Sequence, residues 1–579
     1  MRRWLAGCVV CVLMLLGTVP PAWAETSFGY LDEHGDLQLQ TIPAGHVIGG
    51  DWDPNSTTLT GWYAVTGTLT VNHTLQVQGE AFLILTDGAA LNVTNTTDAG
   101  IGVPLGNSLT VYAQSTGANM GRLTAAGSVF CAGIGGNIGQ DCGAVTINGG
   151  SITASSSNGA GIGGGGGFNM LGSNAGDGGT ITINAGSVAA SSSNGAGIGG
   201  GEGDYGIENS TGGSGGAGGT FVVNGGTVTA TSNYSTGIGG GPGGEGIPVG
   251  DGGNGGDGGD GATVTINAGS VTARSTYGAG IGGGNGGYHG QGQTVGGSGG
   301  SGGIVTINGG TVTASSTFLA SIGGGDGDYF SPSNHGGDGG TITINGGTVT
   351  GSQIGMGGSR GPSGTVEING GTVNGRLCTG WYSAGGTVTI RGGTVDSIGI
   401  AKSLYGYAGG TVNISGGTVT VGSEGIANGT TGGSVIISGG SVNVAGTIGS
   451  TPTNGSANGN QEVYLTRPRL NGLSAVTAVS TLTLPNASYY GTKDLYTDAD
   501  GYLYLYLPAG AAATGAETAD WTYVGEVASG GSGTLTVVVK SSPQTGDDSH
   551  LPLWMALMLL SGLGLVVLLT AGRRGLNRR

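Results

Sequence analysis

Residues 304–314 read IVTINGGTVTA, and close variants of this phrase recur along much of the chain. Valine or isoleucine alternates with threonine on both sides of an Asn-Gly-Gly turn, which is the period-two pattern of a half-buried β-strand. Such repetition is typical of a solenoid, in which stacked repeats share one continuous core. The turn position is occupied in successive repeats by Asn148, Asn184, Asn224, Asn267, Asn308, Asn345, Asn369, Arg391, Ser415 and Ser438.

The spacing of the repeats indicates the kind of solenoid. Up to Asn345 the turn positions recur at long and unequal intervals, whereas the last four intervals, from Asn345 to Ser438, are nearly constant. These last intervals, about 22–24 residues each, suit one turn of a right-handed parallel β-helix, whereas a left-handed hexapeptide helix would need a six-residue period, which is absent. We therefore predict an all-β protein with a right-handed parallel β-helix over residues 60–455, of which residues 60–130 form the first, less regular coils.

The same alternation predicts the core and the corners. Equivalent residues of stacked coils should lie about 4.8 Å apart. The asparagines lie at the corner, where asparagine tolerates a left-handed backbone and its amide can bond the neighbouring coil. The predicted inward residues of two successive coils are Val145, Ile147, Ile152, Ala154 and Ile162, then Ile181, Ile183, Val188, Ala190 and Ile198.

Variation in repeat length is confined to one part of the repeat. In five repeats the isoleucine of a Gly-Ile-Gly motif (Ser-Ile-Gly at Ile322) follows the turn asparagine at a constant distance, as Ile162 follows Asn148. The distance from that isoleucine to the next turn asparagine varies instead, and is longer from Ile238 to Asn267 than from Ile162 to Asn184. Insertions in a solenoid repeat map to loops on one face. We predict that these glycine-rich insertions form variable loops along one flank. The isoleucines are Ile162, Ile198, Ile238, Ile281 and Ile322.

The stretch SSSNGAGIGGG, at residues 155–165 and again at 191–201, contains the G-x-G-x-x-G spacing of dinucleotide-binding sites. Such a site needs a helix after the glycines and an acidic residue about 20 positions further on. Here more glycine follows, which disfavours a helix. We interpret the motif as a register mark of the repeat and predict no organic cofactor.

The insertions and one short coil carry most of the aromatic residues of the repeat region. Aromatic faces beside acids and amides suit sugar rings; the alternative is that the rings pack over glycine backbone and order the loops. Asp251, Asp257 and Asp260 could bind Ca²⁺, or they could simply keep the loops soluble. The candidate ligand-binding residues are Phe168, Tyr205, Tyr288, Tyr329, Phe330, Trp381 and Tyr382.

Catalytic residues are not evident in the repeats. Outward strand positions are almost all Thr, Ser or Asn, and Glu367 is isolated among them, while Arg376 and Arg391 form no evident cluster. A glycoside hydrolase needs two carboxylates that converge on the substrate. We therefore predict a binding protein without catalysis, with a polysaccharide lyase or hydrolase as an alternative. Threonine rows that order ice are a further alternative, although threonine is common in exposed strands.

The ends of the chain carry targeting signals. Residues 1–24 combine two arginines, an apolar run and a small-x-small site, which is typical of a signal peptide cleaved after Ala24. Near the other end SPQTGDD precedes an apolar stretch at 551–570 and a basic tail. About 20 apolar residues suffice to cross a bilayer, and the arginines after them would stay in the cytoplasm.

The chain between these ends is strongly acidic. It retains ten basic and 31 acidic residues, a net charge near −21, which disfavours binding to nucleic acid. Three cysteines remain after removal of the signal. Cys131 and Cys142 could pair outside the cell, and free thiols are the alternative.

The order of pentapeptide, apolar span and basic tail resembles the LPxTG-type sorting signal of Gram-positive surface proteins. The motif here reads Ser542, Pro543, Gln544, Thr545 and Gly546, with serine in place of leucine. The resemblance implies that a sortase cuts after Thr545 and joins its carboxyl group to peptidoglycan.

The glycine-rich repeat, with its entry GWYAVTGTLTV and exit DADGYLYLYLPAG, resembles wall-anchored β-helix proteins of Gram-positive gut bacteria. It resembles less closely the β-helical carbohydrate-binding proteins of clostridia. The predicted organisation is a signal peptide (1–24), an N-terminal segment (25–59), the β-helix (60–455), a small β domain (460–541) and the sorting signal (542–579). The function expected is that of a cell-wall adhesin that binds an extracellular polysaccharide or host glycoprotein, with a structural stalk as the alternative.

Overall fold

The computed structural model describes residues 25–444, except 95–96, 170, 208–209, 248–252, 291–294, 329, 332–334, 381, 404–406, 428 and 430–432, together with six later strands. The predicted signal peptide, the sorting motif at 542–546 and the apolar span at 551–570 lie outside the described residues. Within the described part, no helix has the length and apolar character needed to cross a membrane.

The chain divides into two compact units. The first comprises residues 1–436 and 442–462, and the second comprises 437–441 and 463–579. The described strands of the second unit form two three-stranded antiparallel sheets. These strands are Val463–Leu470, Leu505–Pro508 and Trp521–Val524 in one sheet, and Ala478–Thr483, Leu495–Tyr496 and Thr536–Val539 in the other.

The first unit is a parallel β-helix, as the repeat pattern predicts. Each regular coil contains three strands, and each strand pairs in parallel with its equivalent in the next coil. The first strands are Ala144–Ile147, Thr180–Ile183, Thr220–Val223, Thr263–Ile266, Ile304–Ile307, Thr341–Ile344, Thr365–Ile368 and Thr387–Ile390. The second strands are Ser151–Ser156, Ser187–Ser192, Thr227–Ser232, Ser270–Ser275, Thr311–Ser316, Thr348–Met356, Thr372–Leu377 and Thr394–Ile400. The third strands are Ile162–Gly163, Ile198–Gly199, Ile238–Gly239, Ile281–Gly282 and Ile322–Gly323.

The coils at either end of the β-helix are less regular. In some of them one long strand continues through a corner at which the regular coils have two separate strands. Leu75–Leu85 does so near the start. The remaining strands of the first coils are Val47–Ile48, Thr58–Val65, Thr68–Val71, Ala90–Thr94, Ile101–Gly102, Ser108–Ala113, Arg122–Ala126 and Ile134–Gly135, and those of the last coils are Thr411–Ile426 and Ser434–Val444.

The N-terminal segment forms an antiparallel hairpin of Thr26–Leu31 and Leu37–Ile42. The hairpin packs on the outside of the first coils, where the ring of Tyr30 lies 5.3 Å from that of Trp62 and 4.6 Å from that of Tyr112. Because Val47 already pairs with Ala64, the parallel pairing begins at residue 47, before the predicted start at residue 60.

The core is the one predicted from the alternation. All ten inward residues named for the coils at 145–162 and 181–198 are at most 2% exposed. The Gly-Ile-Gly isoleucines pair with one another from coil to coil, Ile162 with Ile198 and Ile198 with Ile238. An apolar stripe too small to exclude water in one coil thus becomes part of a continuous core.

The turn asparagines form a ladder along one corner. The side-chain Nδ2 of each donates to Oδ1 of the asparagine one coil earlier, over 2.7–2.9 Å from Asn184 to Asn369. This confirms the predicted amide contact. The left-handed backbone that asparagine tolerates is taken instead by the glycine two positions after it, with φ of 92° at Gly150 and 90° at Gly186. Glycine takes this conformation without a Cβ clash.

The described residues of the glycine-rich insertions are ordered, and we call them the glycine layer; they belong to the segments that follow the third strands, 164–179, 200–219, 240–262, 283–303 and 324–340. Each segment has an outgoing and a returning limb. The outgoing limbs of adjacent coils bond at every third residue, as Gly200 N donates to Gly239 O, Gly203 N to Pro242 O and Gly206 N to Glu245 O. A three-residue period without internal bonds is that of the polyproline II helix.

The two limbs also bond to each other. Gly216 N in a returning limb donates to Gly201 O in the outgoing limb, and Gly201 N donates to Gly176 O of the preceding coil. Equivalent limbs of adjacent coils also approach each other closely. A Cβ on Gly241 in an outgoing limb would lie 1.8 Å from Gly201 O, and one on Gly259 in a returning limb would lie 2.0 Å from Gly216 O. Within the described residues the insertions share one flank, as predicted, and they form a hydrogen-bonded layer, rather than separate loops, whose packing requires glycine.

Candidate functional site

Three stacked rings lie along the corner that precedes the third strands. Tyr234, Tyr277 and Phe318 each come four residues before a Gly-Ile-Gly isoleucine, and we call them the aromatic row. Both neighbouring pairs have ring centroids 5.1 Å apart and planes within 14° of parallel. The three side chains are 52%, 43% and 53% exposed. The row is thus an apolar strip at the surface, continuous over three coils.

The outgoing limbs of the glycine layer place two further rows opposite the aromatic row. The floor row, four residues after the isoleucine, is Glu202, Pro242, Asn285 and Asp326. The rim row, seven residues after it, is Tyr205, Glu245 and Tyr288. Because the limbs have a three-residue period, positions three apart point to the same side of the limb, toward the aromatic row.

A cleft of about 180 Å³ lies between the aromatic row and the outgoing limbs. It is lined by the whole aromatic row, the whole floor row, and Glu245 and Tyr288 of the rim row. Asn285 ties the two walls together, since its Nδ2 donates to Tyr277 O over 3.0 Å and to Tyr234 O over 3.3 Å. At the other end of the floor row Glu202 N donates to Asn158 O over 2.9 Å. These bonds close the bottom of the cleft.

The acids of the cleft differ in their exposure. Glu245 is exposed at the rim, Asp326 is partly buried, and Glu202 is only 9% exposed. Burial raises the pKa of Glu202 to about 7 and also raises the pKa values of Asp326 and Glu245. The negative charge of Glu202 is in turn the largest cause that raises the pKa of Tyr205. The cleft therefore contains a carboxyl group that titrates near neutral pH.

The candidate aromatic residues fall at different places. Tyr205 and Tyr288 lie in the rim row with Glu245 between them, and Phe330, 74% exposed, has its ring 6.3 Å from that of Tyr288. Phe168 packs against Phe130 with ring centroids 4.6 Å apart, outside the cleft lining. Tyr382 belongs to a later, shorter coil and has a left-handed backbone, with φ of 56°. Tyr329 and Trp381 lie outside the described residues.

The candidate calcium ligands that are described cap the returning limbs. Asp257 Oδ1 accepts a hydrogen bond of 2.8 Å from Ser298 N, and Asp260 Oδ1 accepts one of 2.9 Å from Ser301 N, both in the next coil. Asp251 lies outside the described residues. Among described residues no three His, Cys, Asp or Glu side chains converge on a common point suited to a metal. The calcium site stays a prediction.

The cysteines and the outward charges are resolved by the structure. Cys131, Cys142 and Cys378 are free and buried, so the alternative of free thiols holds for the first two.

The interpretation of the charged strand residues as isolated is wrong. Arg376 binds both carboxylate oxygens of Glu424 over 2.9 and 3.0 Å.

A second ion pair joins adjacent coils in the same part of the β-helix: Arg391 contacts Glu367 and donates to Asn369 Oδ1 at the end of the asparagine ladder. The Arg391–Glu367 pair thus joins neighbouring coils, whereas Arg376 and Glu424 lie two coils apart.

Sequence reasoning missed the aromatic row, although a signal was present. The three rings occupy the position held by Asn158 and Asn194 in the two preceding coils, so counting from the isoleucine would have aligned them. The floor row was missed for a different reason. Its position lies inside the insertions, whose unequal lengths hide the register that they share.

Five segments of the chain match a family model described as a beta helix repeat: residues 145–166, 181–202, 222–242, 264–285 and 305–326. Each match starts in a first strand and ends four residues after the isoleucine, at the floor-row position of its coil. The rest of each glycine-rich insertion lies outside the match. No curated protein and no solved structure matches the chain significantly. The repeats and the parallel pairing together identify an all-β protein built around a parallel β-helix of the beta-helix repeat type.

Proposed function

We propose that this chain is a cell-wall-anchored surface protein whose cleft binds an extracellular polysaccharide, or the glycan of a host glycoprotein, without chemical turnover. The anchoring part of the proposal rests on the resemblance of residues 542–579 to a sorting signal. The binding part rests on the cleft between the aromatic row and the outgoing limbs.

The observation that carries the binding proposal is the composition of the cleft walls. One wall is apolar and aromatic, and the other presents carboxylates, the Asn285 amide and the half-exposed ring of Tyr288. Sugar rings have apolar faces and hydroxylated edges, so they suit a groove with one wall of each kind. The cleft also runs along the coil axis over several coils, which suits an extended polymer better than a compact small molecule.

The positions of the acids favour binding over hydrolysis. Glu202 and Asp326 occupy the same row three coils apart, a backbone separation of about 14 Å at about 4.8 Å per coil. Glycoside hydrolases hold their two carboxyl groups about 5–9.5 Å apart. Glu202 and Asp326 are therefore too far apart to act as such a pair, and we keep a polysaccharide-degrading activity as the weaker alternative.

A structural stalk is the second candidate function. It is favoured by the glycine layer, because hydrogen bonds between limbs of successive coils stiffen the β-helix along its axis. A stalk needs no ligand, and the aromatic row would then serve only to order the corner.

A glycan-binding assay distinguishes these functions. The purified chain is applied to immobilised plant and mucin glycans, and retention is compared with that of the double variant Tyr277→Ala, Tyr288→Ala. The control is Tyr407→Ala, since Tyr407 is 46% exposed but lies outside the cleft lining. We expect retention of the parent and of the control and loss of retention for the double variant. Absence of binding to every glycan would favour the stalk, and release of reducing or unsaturated sugars would favour an enzyme.

A further inference from the structure

The cleft carries negative charge without a compensating cation. Three carboxyl groups line it, those of Glu202, Glu245 and Asp326, and none of its described lining residues is Lys, Arg or His. Like charges close together in a partly desolvated groove repel one another. A ligand that carries positive charge would relieve this repulsion.

Glu202 is the acid that most needs a partner. Asn194 and Asn158 form hydrogen bonds with its carboxyl group, but its Oε2 is buried and has no hydrogen-bond partner among the described residues. A buried acceptor left without a donor costs free energy, and a charged one costs more. Asp326 differs, because its Oδ1 accepts a hydrogen bond from Ser359 N. Because Glu202 also lines the cleft, its carboxyl group is the point of the cleft where a hydrogen-bond donor of the ligand would relieve the largest cost.

The chemistry of that point suits an ammonium group better than a metal ion. No group of three or more ligating side chains in the described part of the chain is arranged to hold a metal. A primary ammonium needs fewer protein ligands, because it brings three N–H donors of its own. It is also attracted by aromatic rings, and Tyr234 lines the cleft together with Glu202.

We propose that the ligand of this cleft is a polysaccharide containing amino sugars with free ammonium groups, and that the Glu202 carboxylate accepts a hydrogen bond from one of them. This inference rests on the proposed glycan binding and narrows it to a cationic class. The floor row supports a polymer, since Asn285 and Asp326 repeat the position of Glu202 in later coils and can meet further sugars.

The test compares two oligosaccharides that differ only in charge. Calorimetric titrations at pH 7 measure binding of the full chain to a glucosamine hexasaccharide and to its fully N-acetylated counterpart. We expect the free-amine form to bind about tenfold more tightly or better, the gain of one charge-assisted hydrogen bond. Glu202→Gln should remove this preference, so that the free-amine and the acetylated forms bind with similar affinity. The matched control Glu80→Gln, an exposed acid outside the cleft lining, should change neither.

Equal affinity for the two forms would overturn the inference, as would an unchanged preference in Glu202→Gln. Binding of neutral glycans alone would overturn it while leaving the proposed glycan binding intact, whereas absence of binding to any glycan would overturn both. An octalysine peptide is titrated in parallel. Binding of that peptide without binding of the free-amine glycan would contradict the proposal and indicate a basic protein segment as partner.

Discussion

Replacement of Glu202 by glutamine should stabilise the protein at high pH and leave its stability unchanged at low pH. A glutamate in water has a pKa near 4.5, and burial raises that of Glu202 to about 7. One pKa unit corresponds to about 1.4 kcal/mol. The ionised carboxylate should therefore lower the free energy of unfolding by about 3 kcal/mol once both the folded and unfolded states are deprotonated.

The pH window follows from the direction of the pKa change. Below pH 4.5 Glu202 is neutral in both states and imposes no penalty. Between pH 4.5 and 7 the unfolded chain loses this proton first, so it binds fewer protons than the folded chain and the stability falls as the pH rises. Above pH 7 the penalty is complete. Glutamine is neutral throughout and avoids the penalty at every pH.

Urea denaturation of the parent and of Glu202→Gln at pH 4, 6 and 8 measures the effect. We expect coincident curves at pH 4 and a more stable variant at pH 8, with a difference of about 3 kcal/mol. The control Glu245→Gln removes an exposed acid from the same cleft and should show a smaller difference. A variant no more stable than the parent at pH 8 would refute the assignment of Glu202 as a buried acid whose ionisation destabilises the fold.

Three further perturbations test the architecture. Asn267→Ala removes two ladder bonds of 2.7 and 2.8 Å and should lower the free energy of unfolding by about 1–2 kcal/mol; no change in denaturation would show that the ladder is not stabilising. Gly259→Ala places a Cβ 2.0 Å from a carbonyl oxygen and should lower the free energy of unfolding by more than about 2 kcal/mol. The control Gly106→Ala places its Cβ in open space at φ of 85° and should lower it by only about 1 kcal/mol. Equal losses of stability would contradict close packing of the limbs. Cys142 and Cys378 are buried, and burial raises the pKa of the Cys142 thiol to about 12, so iodoacetamide should label these two cysteines only in denaturant. Mass spectrometry measures the labelling, and labelled Cys142 or Cys378 in the native protein would contradict their burial.

The parts of the fold that follow from local chemistry were predictable from the sequence. Alternating Val, Ile and Thr determine which residues face inward, and the constant distance from Asn148 to Ile162 and from Asn184 to Ile198 determines the register between coils. The ladder also followed, because an asparagine repeated at each corner can only meet its equivalent above and below. The ends were harder, since irregular coils such as that of Leu75–Leu85 lack the spaced glycine turns.

The glycine layer was not predictable by the same reasoning. Glycine tracts such as 251–261 have no apolar alternation, so nothing in the pattern indicates which residues face each other. Their order comes from bonds between limbs that are distant in the sequence, and from the absence of side chains that would prevent close approach. The cleft depends on this layer, because Glu202, Asn285 and Asp326 face the aromatic row only when the limbs are held in register.

Amide hydrogen exchange of the unmodified protein tests most directly whether the glycine-rich insertions form a hydrogen-bonded layer. The amides of Gly201, Gly241 and Gly284 donate to carbonyl oxygens of neighbouring limbs at 3.1, 2.8 and 2.9 Å. They should therefore exchange slowly, at rates similar to those of core strand amides such as those of Thr180–Ile183. Exchange at the rate of an unstructured peptide in residues 200–206 and 240–246, while the strands remain protected, would contradict the layer and the cleft built on it.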